Sequence, residues 1–178
     1  MAATEFALLF PIMILIFFGT LEAADAYSVS RRVQSASNSL ADLIGQATHV
    51  TPSQVDDIFT GVKRILEPND TNSLEINLIS LVQDPTDPAK IIVHWSRDIN
   101  QGEPYAPGEE YTDLEDDRIL VNTSSLIVVE LSYDYTSTIS SRLIGAPIEF
   151  RKSAQRWPRR SARVQLCDTV DPTTNCTS

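Results

Sequence analysis

The segment FALLFPIMILIFFGTL, from Phe6 to Leu21, contains sixteen consecutive residues without a charged side chain. As an α-helix it extends about 24 Å at 1.5 Å per residue, slightly less than the roughly 30 Å of a bilayer's hydrocarbon core. We therefore predict a membrane helix that needs its flanking residues to complete the span. Pro11 has no amide hydrogen for the carbonyl oxygen of Ala7, so a kink or local melting is expected at that turn.

The charges around this segment are unusual. Glu5 lies at its N-terminal edge, where it either reaches the lipid headgroups or pairs with a positive charge on an adjacent subunit. Basic residues normally precede an anchor or signal sequence, yet the first ones here are Arg31 and Arg32. We expect that a short basic leader has been removed. The alternative is an ordinary signal peptide cleaved after the small-x-small site Ala24-Asp25-Ala26, and the missing basic region weighs against it.

Beyond this segment, small and apolar residues recur at steps of three and four, as on one face of a helix. They are Ala26, Val29, Val33, Ala36, Leu40, Leu43 and Ala47. No proline occurs between Pro11 and Pro52, so one helix of roughly 70 Å is predicted from near the N-terminus to about Thr48. We expect this stripe to pack against the protein's own head, with a separate coiled coil as the alternative.

The chain is expected to divide into an N-terminal transmembrane and amphipathic helix over residues 1–50 and a head over residues 51–178. In the head, Thr51 and Pro52 form an N-cap and N1 pair for a second helix that ends before Pro68. The apolar face of this helix is predicted to consist of Val55, Ile58, Phe59, Val62 and Leu66.

Runs rich in β-branched residues, separated by turn-forming residues, predict three to five antiparallel strands packed against the helices. The predicted strands are Ser73–Gln83 and Lys90–Ser96, paired through the turn DPTDPA, then Ser125–Tyr135, Ala146–Lys152 and an edge at Arg163–Leu166. The predicted fold class is therefore α+β: a long N-terminal membrane helix, then a small antiparallel-sheet head with one further helix.

Cys167 and Cys176 are the only cysteines, with eight residues between them. A disulfide that closes such a loop of about 10 residues contributes roughly 2.5–3 kcal/mol, and it persists in oxidising compartments such as the periplasm or cell exterior. Two free thiols or a metal pair are the alternative, although no further ligand at zinc-site spacing lies nearby.

The formal net charge of −10 argues against nucleic-acid binding, which requires a basic surface. The charges are clustered, with eight acids and no base at residues 98–117 and six bases and no acid at residues 151–163. Such clusters steer association with partner subunits, or they pair within the molecule, or they are solvated independently. Calcium is a further candidate ligand of the acidic cluster, which lacks the EF-hand pattern. The residues singled out for partner contact are Glu109, Glu110, Asp116, Asp117, Arg156, Arg159 and Arg160.

The sequence contains no recognisable catalytic constellation. His49 and His94 are single and distant from each other, and no nucleophile elbow, P-loop, zinc-protease or dinucleotide-binding motif occurs. We therefore predict a protein that is not an enzyme and uses no cofactor.

The sequence MAATEFALLFPIMILIFFGTLEAADAY, at residues 1–27, resembles the start of mature TadE-like pseudopilins, in which small residues precede Glu-Phe-Ala-Leu and an apolar run with a proline. Glu5 falls where pilin-like proteins carry a glutamate, counted from the prepilin-peptidase cleavage site. The resemblance thus implies that Met1 is the mature N-terminus and that Met1, Glu5, Phe6 and Pro11 serve subunit assembly. The segments 125–137 and 147–159 are similar, more weakly, to the family's C-terminal strands.

The resemblance implies cleavage by a prepilin peptidase, a single inner-membrane helix with a periplasmic head, and later incorporation into an extracellular pilus. The role implied is that of a minor pilin that assembles into or primes a tight-adherence (Tad) pilus, with other pilin and minor pilin subunits as partners. Two alternatives stay open. One is a permanently inner-membrane-anchored periplasmic assembly factor of a pilus or secretion system, and the other is an anchored adhesin with a ligand-binding head.

Overall fold

The structure, a computed structural model, describes residues 2–114, 120, 124–137, 147–169 and 175–177, with side chains from residue 4 onward. Its helices and strands, in chain order, are α1 (Ala2–Gly45), β1 (His49–Val50), α2 (Pro52–Leu66), β2 (Leu74–Gln83), β3 (Ile91–Asp98), β4 (Leu126–Tyr135), β5 (Ile148–Arg156) and β6 (Gln165–Leu166). A long apolar helix is followed by an antiparallel sheet and one further helix, which confirms the predicted α+β fold.

Helix α1 contains 44 residues and is about 66 Å long at 1.5 Å per residue. It runs through Pro11 without interruption, so of the two outcomes expected there, a kink or local melting, the melting is wrong. Pro11 removes a single hydrogen bond, and the turns on either side keep theirs. The helix ends at Gly45, slightly before the predicted end, and the Gly45 carbonyl oxygen accepts a 2.8 Å hydrogen bond from the Arg159 amide.

The C-terminal half of α1 packs against the sheet and α2, which confirms that the apolar stripe contacts the protein's own head. The fully buried members of the predicted stripe are Val29, Val33, Ala36 and Leu40. Leu43, however, is 52% exposed, so its assignment to the stripe is wrong. The buried face continues from Leu40 to Ile44, a step of four that keeps the side chain on the same side of the helix.

The main sheet has four strands in the order β3-β2-β4-β5, and all neighbours are antiparallel. The predicted β2–β3 pair and the predicted strand β4 are confirmed. Strand β5 continues to Arg156, beyond the predicted end at Lys152, because it pairs with β4 along its whole length. Ala146, the predicted start of β5, lies outside the described residues.

The prediction that Arg163–Leu166 forms an edge of the main sheet is wrong, because strand β6 lies outside that sheet. It pairs in parallel with β1, a two-residue strand between the helices that was not predicted. The Cys167 amide continues this ladder with a 2.9 Å bond to the Val50 carbonyl oxygen.

Helix α2 begins as predicted. The Thr51 hydroxyl accepts from the Gln54 amide while the Gln54 side chain accepts from the Thr51 amide, which forms a capping box. Four of the five predicted apolar positions are buried, and the fifth, Ile58, is half-buried. The opposite face of the main sheet carries a second apolar cluster beneath the segment 105–114.

Candidate assembly surfaces

The N-terminal part of α1 projects from the head. Every side chain from Thr4 to Leu21 is exposed, including those of Leu8 and Leu15, which are 73% and 74% exposed. These eighteen residues extend about 27 Å as a helix, close to the thickness of a bilayer's hydrocarbon core. The segment is apolar on all sides and long enough to cross a membrane. Burial of this surface therefore requires lipid or other apolar helices.

Three of the predicted assembly residues, Glu5, Phe6 and Pro11, lie on this projecting segment. Glu5 is exposed in the first turns of α1, and the Phe6 ring lies 5.6 Å from the ring of Phe10. Along α1 the first basic side chain, Arg31, is 26 residues away, about 39 Å. Helix α1 thus offers the Glu5 carboxylate no cation of its own within hydrogen-bonding distance. Pro11 lies within the helix, and Met1 lies outside the described residues.

The helix meets the head at Asp25. Its carboxylate accepts a 2.5 Å hydrogen bond from the Tyr135 hydroxyl at the end of β4. Burial, together with this bond, raises the pKa of Tyr135 well above its usual value. Just beyond, Arg31 lies 5.9 Å from the Tyr27 ring, whose side chain is 66% exposed. The polar junction between the membrane segment and the head is therefore held by specific side-chain contacts.

The described part of the acidic cluster, residues 98–114, folds over the sheet face opposite α1. Its tyrosines are fixed to the Glu130 carboxylate of β4, which accepts from Tyr111 at 2.5 Å, from Tyr105 at 3.1 Å and from Asn77 at 3.2 Å. Burial and the adjacent carboxylate raise the pKa of Tyr105 to about 12 and that of Tyr111 further. Sequence reasoning missed this network, although Glu130 stands out as the one charge within the apolar run LIVVELS.

The two charge clusters use different ion-pair partners in the described part of the chain. Glu110 pairs with Lys90 at 3.3 Å and Arg159 with Asp42 at 2.5 Å, while Arg151 pairs with Glu149.

The two clusters nevertheless approach each other at one point. Asp113 and Arg151 line the same open polar groove of about 500 Å³ on the outer sheet face. The other charges singled out are arranged as follows. The Glu109 carboxylate accepts from the Ala106 amide at 2.9 Å. Arg156 donates to Asn38 at 3.1 Å.

Arg160 is exposed. Asp116 and Asp117 lie outside the described residues, and none of the described residues forms a group of three metal-binding side chains.

The basic cluster sits at the C-terminal end of α1, which has no basic residue in its own last turn. Arg159 supplies this charge, with its amide on the Gly45 carbonyl oxygen and its guanidinium on Asp42. Cations near the carbonyl end of a helix stabilise it. Nearby, Cys167 and Cys176 are joined in a disulfide, with the sulfur atoms 2.02 Å apart.

Among the described residues, an α+β head is carried on one long helix whose projecting half is apolar on every side, and this arrangement fits a protein anchored by an N-terminal membrane helix. Residues 1–42, which include most of α1, match the family model described as TadE-like protein. This match confirms the predicted resemblance: the N-terminal segment of the chain is similar to TadE-like proteins. Comparison with curated proteins and with solved structures gave no match.

Proposed function

We propose that this chain is a minor pilin, or pseudopilin, of a Tad pilus. One observation carries the proposal: a single helix is apolar on every side along its first half and forms part of the head's core along its second. In the inner membrane lipid covers the first half, and in a filament the helices of neighbouring subunits cover it instead. The head, held to the helix by its own core, travels with it.

Glu5 is the residue that makes this transfer specific. A carboxylate in an apolar helix bundle is stabilised by an opposite charge that is buried with it. The free α-amine of a neighbouring subunit has a reference pKa of about 8 and is mostly charged at neutral pH. Because α1 brings no base near Glu5, a neighbouring subunit is the proposed source of the cation. This pairing fixes the register of one helix against the next.

We propose further that the chain acts by assembly rather than catalysis. The Glu130 carboxylate, the most extensively bonded acid of the outer sheet face, already accepts hydrogen bonds from two tyrosines and an asparagine. Its role in this account is to hold the segment 105–114 on the sheet. The head then serves as a rigid surface presented by the helix.

The test replaces Glu5 by Ala and, separately, by Gln. Both variants are expected to leave the head folded and the chain in the inner membrane, while incorporation into surface filaments falls at least about tenfold, equivalent to losing roughly 1.4 kcal/mol. Sheared filaments and inner membranes are compared by quantitative immunoblotting. Glu22→Gln, which removes the acid at the other end of the same apolar segment, is the matched control and should incorporate normally.

Normal pilus number and composition with both Glu5 variants would refute the proposed charge pair. A chain that stays in the inner membrane in all forms, wild type included, would instead favour the permanently anchored assembly factor. The anchored-adhesin alternative predicts that substitutions in the head abolish adhesion, whereas the Glu5 variants leave adhesion unchanged.

A further inference from the structure

One row of paired residues crosses the main sheet near the end of the head that lies farthest from the apolar segment. Val93 on β3 pairs with Leu81 on β2, which pairs with Leu126 on β4. In the adjacent row, Ile127 on β4 pairs with Arg156 on β5. Neighbouring strands lie about 4.8 Å apart, so the β3 and β5 edges of this row are separated by roughly 14 Å.

This row lies across the axis of α1. Tyr135, at one end of β4, bonds to Asp25 of α1, and Arg156, which pairs with the other end of β4, bonds to Asn38. Asp25 and Asn38 lie about 20 Å apart along α1, and the stretch of β4 from Ile127 to Tyr135 extends about 26 Å. The strands therefore run along the helix. A row across the strands is then roughly parallel to the plane of any membrane that α1 crosses.

The β5 end of the row is basic and aromatic. This basic edge, residues 156–163, contains four arginines, no acid and Trp157, whose side chain is 42% exposed. Its backbone is fixed, because the Arg159 amide donates to the Gly45 carbonyl oxygen at 2.8 Å. Arg160 is exposed. Tryptophan and arginine in a preorganised segment are the side chains that contribute most to protein interfaces.

The β3 end of the same row is acidic. Two segments form this acidic edge, the turn 84–90 and the segment 106–110, and they are joined by the ion pair of Lys90 with Glu110. Its acids are Asp84, Asp87, Glu109 and Glu110, against one lysine. Pro88 and Pro107 are exposed on it and offer apolar surface. The Lys90–Glu110 pair is about half exposed, so it contributes little and is readily exchanged.

We propose that the basic edge of one copy docks on the acidic edge of a second copy, side by side in one membrane. Both copies enter the bilayer through the same helix, so their heads stand at the same height and the complementary edges face each other. Arg160 then meets Glu110, and Trp157 packs on the exposed prolines. Different surfaces meet, so the contact is heterologous and repeats from copy to copy. The inference relies on the proposed function only for the shared membrane anchor.

The test crosslinks two full-length variants in the membranes of cells that express both. The native cysteines are joined to each other, so introduced cysteines supply the free thiols. Ala162→Cys marks the basic edge and Ala106→Cys the acidic edge, both at exposed positions next to the charges. With a short bismaleimide, the mixed pair should crosslink at least about fivefold more than Ala162→Cys combined with Thr60→Cys, an exposed control position on α2.

Charge exchange makes the test specific. Arg160→Glu in the chain that carries Ala162→Cys should lower the mixed crosslink about threefold to tenfold, and so should Glu110→Arg in the chain that carries Ala106→Cys. Both changes together should restore it. Arg64→Glu, at an exposed arginine of α2, should have no effect. Crosslinking of the mixed pair at the control level would overturn the proposal, as would a dominant product joining Ala162→Cys to itself. Because the assay needs no pilus, its failure is distinct from failure of the Glu5 experiment.

Discussion

Glu130 shows how one side chain organises the outer face of the head. It lies in the middle of β4, and its carboxylate binds Tyr105 and Tyr111 of the segment that covers the second apolar cluster. The two tyrosine rings contact edge to face, with centroids 5.6 Å apart. Hydrogen bonds to a charged group contribute about 1.5–3 kcal/mol each. The loop is therefore held by a few strong polar contacts in addition to its apolar residues.

This arrangement predicts a loss of stability at high pH. Tyrosine in the unfolded chain ionises near pH 10, whereas burial raises the pKa of Tyr105 to about 12 in the folded head. The unfolded state therefore loses its protons first, and the free energy of unfolding should fall as the pH rises from about 10 to 12. Urea unfolding of the full chain in detergent, at a series of pH values, measures this fall.

The matched variants for this experiment are Tyr105→Phe, which should reduce the fall, and Tyr27→Phe, which should leave it unchanged. Tyr27 is 66% exposed on α1, whereas Tyr105 is half-buried beside Glu130. If the Tyr105→Phe protein has the same pH dependence as the wild type, the account of this network is wrong.

Helix α1 belongs to the head along its second half, and two leucines three residues apart test this. Leu40 is fully buried against the sheet, whereas Leu43 is 52% exposed. Leu40→Ala should lower the free energy of unfolding by about 2–5 kcal/mol, because it removes core contacts and leaves a cavity. Leu43→Ala should change it by less than about 0.5 kcal/mol. Denaturant unfolding of both variants in detergent gives the comparison, and equal effects would contradict the docking of α1.

The same helix shows which elements can be predicted from sequence. The spacing of the apolar residues along α1 and the Thr51 cap of α2 both arise from local interactions. The cap is confirmed, and the apolar face of α1 is confirmed except at Leu43. Strand β1 has two residues, too few to display a pattern, and the pairing of β1 with β6 depends on the fold bringing them together. The end of β5 was missed for a similar reason. Its sequence IEFRKSAQR is polar, and pairing with β4 rather than its own composition holds it as a strand.

In the candidate assembly site, too, some features can be predicted from sequence and others cannot. Glu5 and the apolar run could be found from sequence, because an acid at the edge of sixteen uncharged residues is conspicuous. The two charge clusters were also visible, but their arrangement was not. Strand pairing places Glu110 and Arg156 at opposite edges of the main sheet, in nearly the same row of paired residues. The Arg159 amide lies at the C-terminal end of α1, where it bonds to Gly45. Such positions follow from strand order, which no local pattern specifies.

For the molecule as a whole, helix and head act as one piece. The apolar half of α1 extends about 27 Å and matches a bilayer, while the other half carries the core of the head. Movement of the helix from lipid into a filament would therefore bring the head to the filament surface without refolding it. The disulfide between Cys167 and Cys176 fits a head that works outside the reducing cytoplasm.

The most direct test of this account is where the chain resides in cells that produce the pilus. Surface filaments are sheared from the cells, inner membranes are isolated in parallel, and peptides from α1 and from the head are quantified by mass spectrometry in both. Both sets of peptides are expected in the filaments, in equal amounts and well below those of the main pilin, together with a pool in the inner membrane. A chain confined to the inner membrane, or filaments that contain head peptides without those of α1, would contradict it.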